Sequence, residues 1–431
     1  MYVANAVDKS QPYRPPDVMP PYIGPEHPPA TPDRGGHFDW IPQGTPQFRA
    51  AHLYGTVRRV LDIWEALLGH RIVWWHVDAF PRLELVPTVR WGNAHSGAGF
   101  IETGRLWSHA GVPQELCLSF DAVAHEVGHT ILFSVLGAPA TGHLTGAFLA
   151  FHETFADLVA AASTLYFDSV AQHLLQQTKG NLYALNLVSR VGALSGSDQV
   201  RLLDNDVTLS DLSGLRLGPD GNWIDPSGIG RDAHAAAAPL SGAIWDCFVE
   251  LFQDGLVRRG AIDRQLDTRG WNKARVTSAL AQLHAASGNA LQRFYAEFNF
   301  ALLDARDVVG LALAGCIQRI VADDLDFHTV AARFCEAVIE FWPSDILPAL
   351  IENFQDRQID PTPRLGRSSA AAYGPMQGPS RRVLGSSNLV TPHRAVPIVS
   401  TCRGCGNPGA VAAVSRLIRH PYRGAVALSG L

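Results

Sequence analysis

Lysine is nearly missing from this 431-residue chain: Lys9, Lys179 and Lys273 are the only three among 35 basic residues. That bias has the look of a GC-rich gene, so arginine-rich stretches are weak pointers to a polyanion, and no specific nucleic-acid partner is read from them. Cysteine is sparse as well, at 117, 247, 316, 335, 402 and 405. Apart from the last pair these positions are scattered, which excludes a disulfide framework and allows an intracellular setting. Cys402 and Cys405 form a lone CxxC, without the second pair a zinc site needs, and read as a chance or redox-sensitive pair. No run of about 18 apolar residues is present to span a membrane. A basic start followed by an apolar core is also missing, so a cytoplasmic location is expected, with non-classical export or a misassigned start as alternatives.

What is present suits a large folded protein. With 47% hydrophobic and 17% charged residues, the chain can bury a sizeable core and has room for two lobes plus extensions. Nine prolines between Pro12 and Pro32 mark residues 1–45 as an extended arm rather than a packed element. Apolar spacing is helical from Gln47 to Leu68. Ile72–Val77, Leu83–Val89, Gly99–Thr103 and Glu115–Phe120 read as strands. Residues 46–137 are thus expected to form a mixed α/β lobe. Helical segments near 147–166, 240–256, 274–285, 289–304, 307–322, 328–341 and 344–355 make 138–360 a mainly α-helical lobe. Residues 361–431 carry nine arginines and no Asp, Glu or Lys, leaving −14 on residues 1–360. This tail is expected to be disordered or an out-of-frame extension, ahead of any specific binding role.

The chemistry concentrates at His125-Glu126-Val127-Gly128-His129. Two histidines four apart on a helix share a face and can share a metal, and the acid beside them is what zinc hydrolysis needs. Ser119 and Asp121 offer N-cap chemistry, and Gly137 and Pro139 end the helix. Zinc needs a third protein ligand and an open position for water. Glu153 supplies the ligand on a second helix, and Asp157, one turn on, is placed to accept the proton of a ligating imidazole. His152 points about 100° away from Glu153 on that helix and reads as a packing or surface residue. His143, in a Gly-rich loop, reads as solvated.

HEVGH followed by E-x-x-x-D resembles the thermolysin-like zinc metallopeptidases, across about residues 45 to 360. Asn93-Ala94, ahead of Gly97-Ala98-Gly99-Phe100, is similar to the family's pair on an edge strand that holds the substrate backbone. Asp232-Ala233-His234 with Pro239, Leu240, Ser241, Ala243 and Trp245 is similar to the segment bearing its catalytic histidine. The resemblance implies an α+β, two-lobed fold with the metal helix between the lobes. It implies one zinc ion held by His125, His129 and Glu153, with Glu126 as general base. Asp157 would orient a ligand, and His234, backed by Asp232, would stabilise the oxyanion. The implied substrate is a peptide or unfolded protein.

Departures from the family are equally specific. The stretch from His129 to Glu153 is longer, by four residues, than in its nearest members. Asp121 matches a calcium ligand, but Thr164 stands where a glutamate would, and residues 169–200 hold only Asp198 as an acid, so calcium sites are expected to be mostly lost. No tyrosine lies between 130 and 165 to act as the family's phenolic donor. The arginine for the substrate carbonyl is Arg201, Arg216 or Arg231. An aminopeptidase would need an acid for the substrate amine, for which Glu102 is the nearby candidate. A protein that keeps the fold and metal but serves as a scaffold is the alternative from another class.

Overall fold

A computed structural model describes residues 1–366 apart from 16, 108–112, 141, 194–198, 215, 218–222, 225–229, 232, 270 and 272. The fold is α+β and mostly helical. Its sheet combines β1 (Tyr2–Val3), β2 (Glu84–Val89), β3 (Ala94–Gly97), β4 (Phe100–Trp107) and β5 (Pro113–Glu115), in the order β1-β2-β4-β3, with β5 pairing farther along β4. β2 runs parallel to β1 and β4, whereas β3 returns antiparallel onto β4 through a two-residue turn. Gly99 takes φ +85° there, a conformation that favours glycine.

Strand alternation sorts the two faces of this sheet. Leu85 and Ile101 turn into the main core beside α1 (Pro46–Leu68). That helix starts at Thr45, whose hydroxyl accepts the Phe48 N–H at 3.1 Å, and ends at left-handed Gly69. Glu84, Val86, Phe100 and Glu102 occupy alternate positions and so face the other way. Two carboxylates can be buried there only if donors reach them. Apart from His95 Nε2 of β3, 2.5 Å from Glu102, the donors come from the chain's first residues. Tyr2 and Tyr13 hydroxyls both donate to Glu84, Lys9 Nζ pairs with Glu102 at 2.5 Å, and the Tyr13 N–H donates to Glu102 at 2.5 Å. Ala4, Ala6 and Tyr13 pack with Val86, Val89 and Phe100 in a second small core. The proline-rich beginning is therefore extended but packed, a strand and a cover for the outer sheet face.

The helices that follow are α2 (Phe120–Val135), α3 (Gly146–Thr164), α4 (Asp168–Thr178), α5 (Ala233–Arg258), α6 (Lys273–Arg293), α7 (Tyr295–Ile317), α8 (Phe327–Phe341) and α9 (Leu347–Gln355); a hairpin of β6 (Arg190–Ala193) and β7 (Gln199–Leu202) lies between α4 and α5. One continuous apolar core runs from α1 to α9. α5 is long and apolar enough to cross a membrane, but 83% of its most apolar stretch is buried as a core helix. Two expected strands are not strands. Ile72–Val77 is loop and turn, held where Trp75 packs on Phe133 at 5.5 Å, and Glu115–Phe120 is mostly a short 3-10 turn leading into α2. Tryptophan-rich apolar runs are compatible with either state, and packing on α2 decides here.

Candidate metal centre

α2, α3 and α5 build the site. Ser119 stands at the N-cap of α2, but its hydroxyl donates to Asp121 instead of capping the backbone. α2 and α3 cross closely because residue 128 is glycine: a Cβ there would lie 2.7 Å from Ala156 Cα. Glycine inside a helix costs about 1 kcal/mol relative to alanine. In return it allows the approach that brings Glu153 beside His125 and His129.

Glu153 is fully buried, with Oε2 3.4 Å from His125 Nε2 and 3.7 Å from His129 Nε2. The two imidazoles stand nearly perpendicular, 83° apart with centroids at 4.4 Å, so their ring planes cross close by. Donors on a tetrahedral zinc at about 2.0–2.1 Å lie about 3.4 Å apart, close to the two distances from Glu153 Oε2 to these imidazoles. Glu126 also comes close: one carboxylate oxygen and a nitrogen from each of His125 and His129 lie within 4.8 Å of one another. Burial pushes the Glu153 carboxyl up, but His234, His129 and His125 around it outweigh that and hold it well below its usual range. The donor set of two imidazoles and one ionised carboxylate suits zinc.

Asp157 does reach a candidate ligand. Its Oδ1 lies 2.8 Å from His125 Nδ1, while Arg201 grips the same carboxylate through Nε at 2.7–2.8 Å and Nη2 at 2.6 Å. Burial raises the Asp157 carboxyl, and Arg201 with His125 more than reverse this, so it remains an acceptor. Arg201 Nη2 is also 3.1 Å from His125 Nδ1. Since an ionised carboxylate can only accept, Nδ1–H belongs to Asp157 and Nε2 is left to face Glu153. Of the three arginines considered for the substrate carbonyl, Arg201 is thus engaged by Asp157; the side chains of Arg216 and Arg231 lie outside the described residues.

His234 enters from the first turn of α5 and brings Nε2 to 2.7 Å from Glu153 Oε2, without the alignment of a hydrogen bond. Asp232 lies outside the described residues, as do Asp198, Cys402, Cys405 and the tail beyond 366. Asn93 and Ala94 sit at the head of β3, the edge strand, which packs beside α2. Asn93 Oδ1 accepts the Ala94 N–H at 2.9 Å and its carbonyl accepts the Gly104 N–H at 2.7 Å. Glu102 is removed as an amine-binding acid: it is fully buried, with Lys9, the Tyr13 N–H and His95 Nε2 each at 2.5 Å. Thr164 returns its hydroxyl to the Ala160 carbonyl at 2.8 Å, and Asp121 accepts from Ser119 and the Ala122 N–H.

Of the two readings of His152, packing or surface, the structure has packing: it is fully buried, and its ring stacks on His129 with centroids 4.0 Å apart and planes 15° apart. Burial pushes its imidazole pKa down. The clue available in sequence was its place beside Glu153, on a helix already expected to meet His129. His143, by contrast, is exposed in its loop and pairs with Asp324 at 3.1 Å.

No protein-family model matches this chain, and no curated protein does. Among solved structures, the chain is similar to the precursor of protealysin, a metalloproteinase from Serratia proteamaculans, with a TM-score of 0.39 and 13% identity, covering 83% of this chain and 86% of that one. So loose an overlap is a likeness in outline.

Proposed function

We propose that this protein is a zinc-dependent peptidase, an endopeptidase of the two-lobed thermolysin-like kind, in which His125, His129 and Glu153 hold one zinc ion and Glu126 is the general base. The observation that carries this reading is one buried carboxylate oxygen of Glu153 lying 3.4 and 3.7 Å from a nitrogen of each of two nearly perpendicular imidazoles. Zinc held there would supply a water of lowered pKa and polarise a scissile carbonyl.

The chain's own residues do the rest. Glu126, adjoining His125 on α2, takes the proton of the attacking water and passes it to the leaving amine. His234 donates to the developing oxyanion, with Asp232 behind it, a contact typically contributing about 3–4 kcal/mol because the donor is already in place. Asp157 keeps His125 in the tautomer that presents Nε2. β3 pairs only with β4 among the named strands, so its outer edge beside α2 is open to an extended peptide, with Asn93 and Ala94 at its head. An open edge favours unfolded or extended segments over folded ones, and α2 then forms the floor of a cleft between a sheet-bearing lobe and a helical lobe.

The test is cleavage of a mixed peptide library by zinc-loaded protein, read by mass spectrometry beside Glu126→Gln. Stoichiometric zinc in both, with cleavage about 10²–10⁴-fold lower in the variant, supports the peptidase. Zinc in both and cleavage in neither would make a scaffold the better account.

A further inference from the structure

His152 is a buried imidazole without a stated role. Neither ring nitrogen has a hydrogen-bond partner among the described residues, and the Glu153 carboxylate stands off from Nδ1 at 3.9 Å. Its faces are occupied instead. It stacks on His129 at 4.0 Å, meets Phe133 of α2 one turn farther on at 4.6 Å, and lies near Phe148 at 6.3 Å. A nitrogen of His152 does come within 4.8 Å of donor atoms of His129 and Glu153, which on distance alone marks it as a ligand. The ring planes argue otherwise. An imidazole lone pair lies in its ring plane, and two planes 15° apart with centres 4.0 Å apart do not converge on one ion. The 83° between His125 and His129 does allow convergence.

We infer that His152 is a positioning residue: its flat face, wedged from α3 against His129 and Phe133, sets the plane of the His129 imidazole and hence the direction of the nitrogen offered to the metal. Asp157 restrains His125 by its edge; His152 restrains His129 by its face. Both ligating rings are thereby oriented from α3, the helix that also carries Glu153. This rests on the metal site proposed above.

The experiment compares wild type, His152→Phe and His152→Met, with zinc affinity measured by chelator competition, the cobalt(II) absorption spectrum as a coordination readout, and thermal melts of the metal-free proteins as a check of folding. Phenylalanine keeps a flat face and removes the nitrogens; methionine fills similar volume without a plane. The expected result is zinc affinity within about threefold of wild type for Phe and about 10–100-fold weaker for Met, the usual cost of losing a ligand's support. Equal affinity in all three overturns the inference, since packing volume alone then suffices. Loss in both variants, with altered cobalt spectra, also overturns it and makes a His152 nitrogen a ligand. If Met does not fold, His152→Leu takes its place. A wild-type protein that takes up no metal fails the proposed function itself, before His152 is at issue.

Discussion

Asp157 and His125 face each other at 2.8 Å from adjacent helices, and Arg201 of β7 closes on the same carboxylate. Asp157→Asn leaves an amide that can hydrogen-bond Nδ1 in either sense and so releases the tautomer. Zinc affinity should fall about 10–100-fold, measured by chelator competition. The change also strips Arg201 of its buried partner, so a separate destabilisation of about 3–5 kcal/mol is expected in denaturant melts of metal-free protein.

Gly128→Ala tests the helix crossing. The added methyl meets Ala156 Cα at 2.7 Å and must push α2 from α3, costing about 1–3 kcal/mol, offset by up to about 1 kcal/mol of helix propensity. Metal affinity should fall as well, because Glu153 moves away from both histidines. Unchanged affinity and melting would mean that the crossing relaxes without strain.

His234→Phe is expected to retain stoichiometric zinc while lowering kcat about 10²–10³-fold with KM little changed, the pattern of a donor used in the transition state. Loss of zinc would instead make His234 a ligand, as its 2.7 Å approach to Glu153 permits on distance.

Glu250 provides a pH test away from the metal. Burial, with smaller contributions from Asp267 and Asp254, raises its carboxyl from 4.5 to about 7, against the lowering effect of Thr268 and Tyr183, which hydrogen-bond it. Between pH 4.5 and 7 the folded state binds more protons than the unfolded one, so stability is fully present below 4.5 and falls as pH rises through 7. Glu250→Gln cannot ionise. It should match wild type near pH 4.5 and exceed it by about 3 kcal/mol above pH 8 in denaturant titrations. A parallel pH dependence in both proteins would remove Glu250 as the cause.

How far the site was legible differs residue by residue. His125, Glu126 and His129 were readable because a four-residue step on one helix is local geometry, and the same holds for Glu153 and Asp157 on the next. His152 was left between packing and surface because the helical wheel refers each side chain to its own axis, whereas its surroundings depend on where α3 lies against α2. Arg201 stood level with Arg216 and Arg231 until folding brought its guanidinium onto Asp157 of α3. Ile72–Val77 has strand-like composition, yet it serves as a loop packed on α2.

Local periodicity by itself pointed to most of the helices, though it passed over α4 and broke α7 in two, and it put the two histidines on one face and a carboxylate on the next helix, since these follow from 3.6 residues per turn and short-range sterics. Only the tertiary structure decided that α2 and α3 meet at Gly128, that a stacked histidine backs His129, and that the proline-rich beginning covers two buried glutamates. Proline restricts how a segment bends, but the surface it lies on is selected by long-range burial and by donors that a sheet face lacks until another part of the chain arrives.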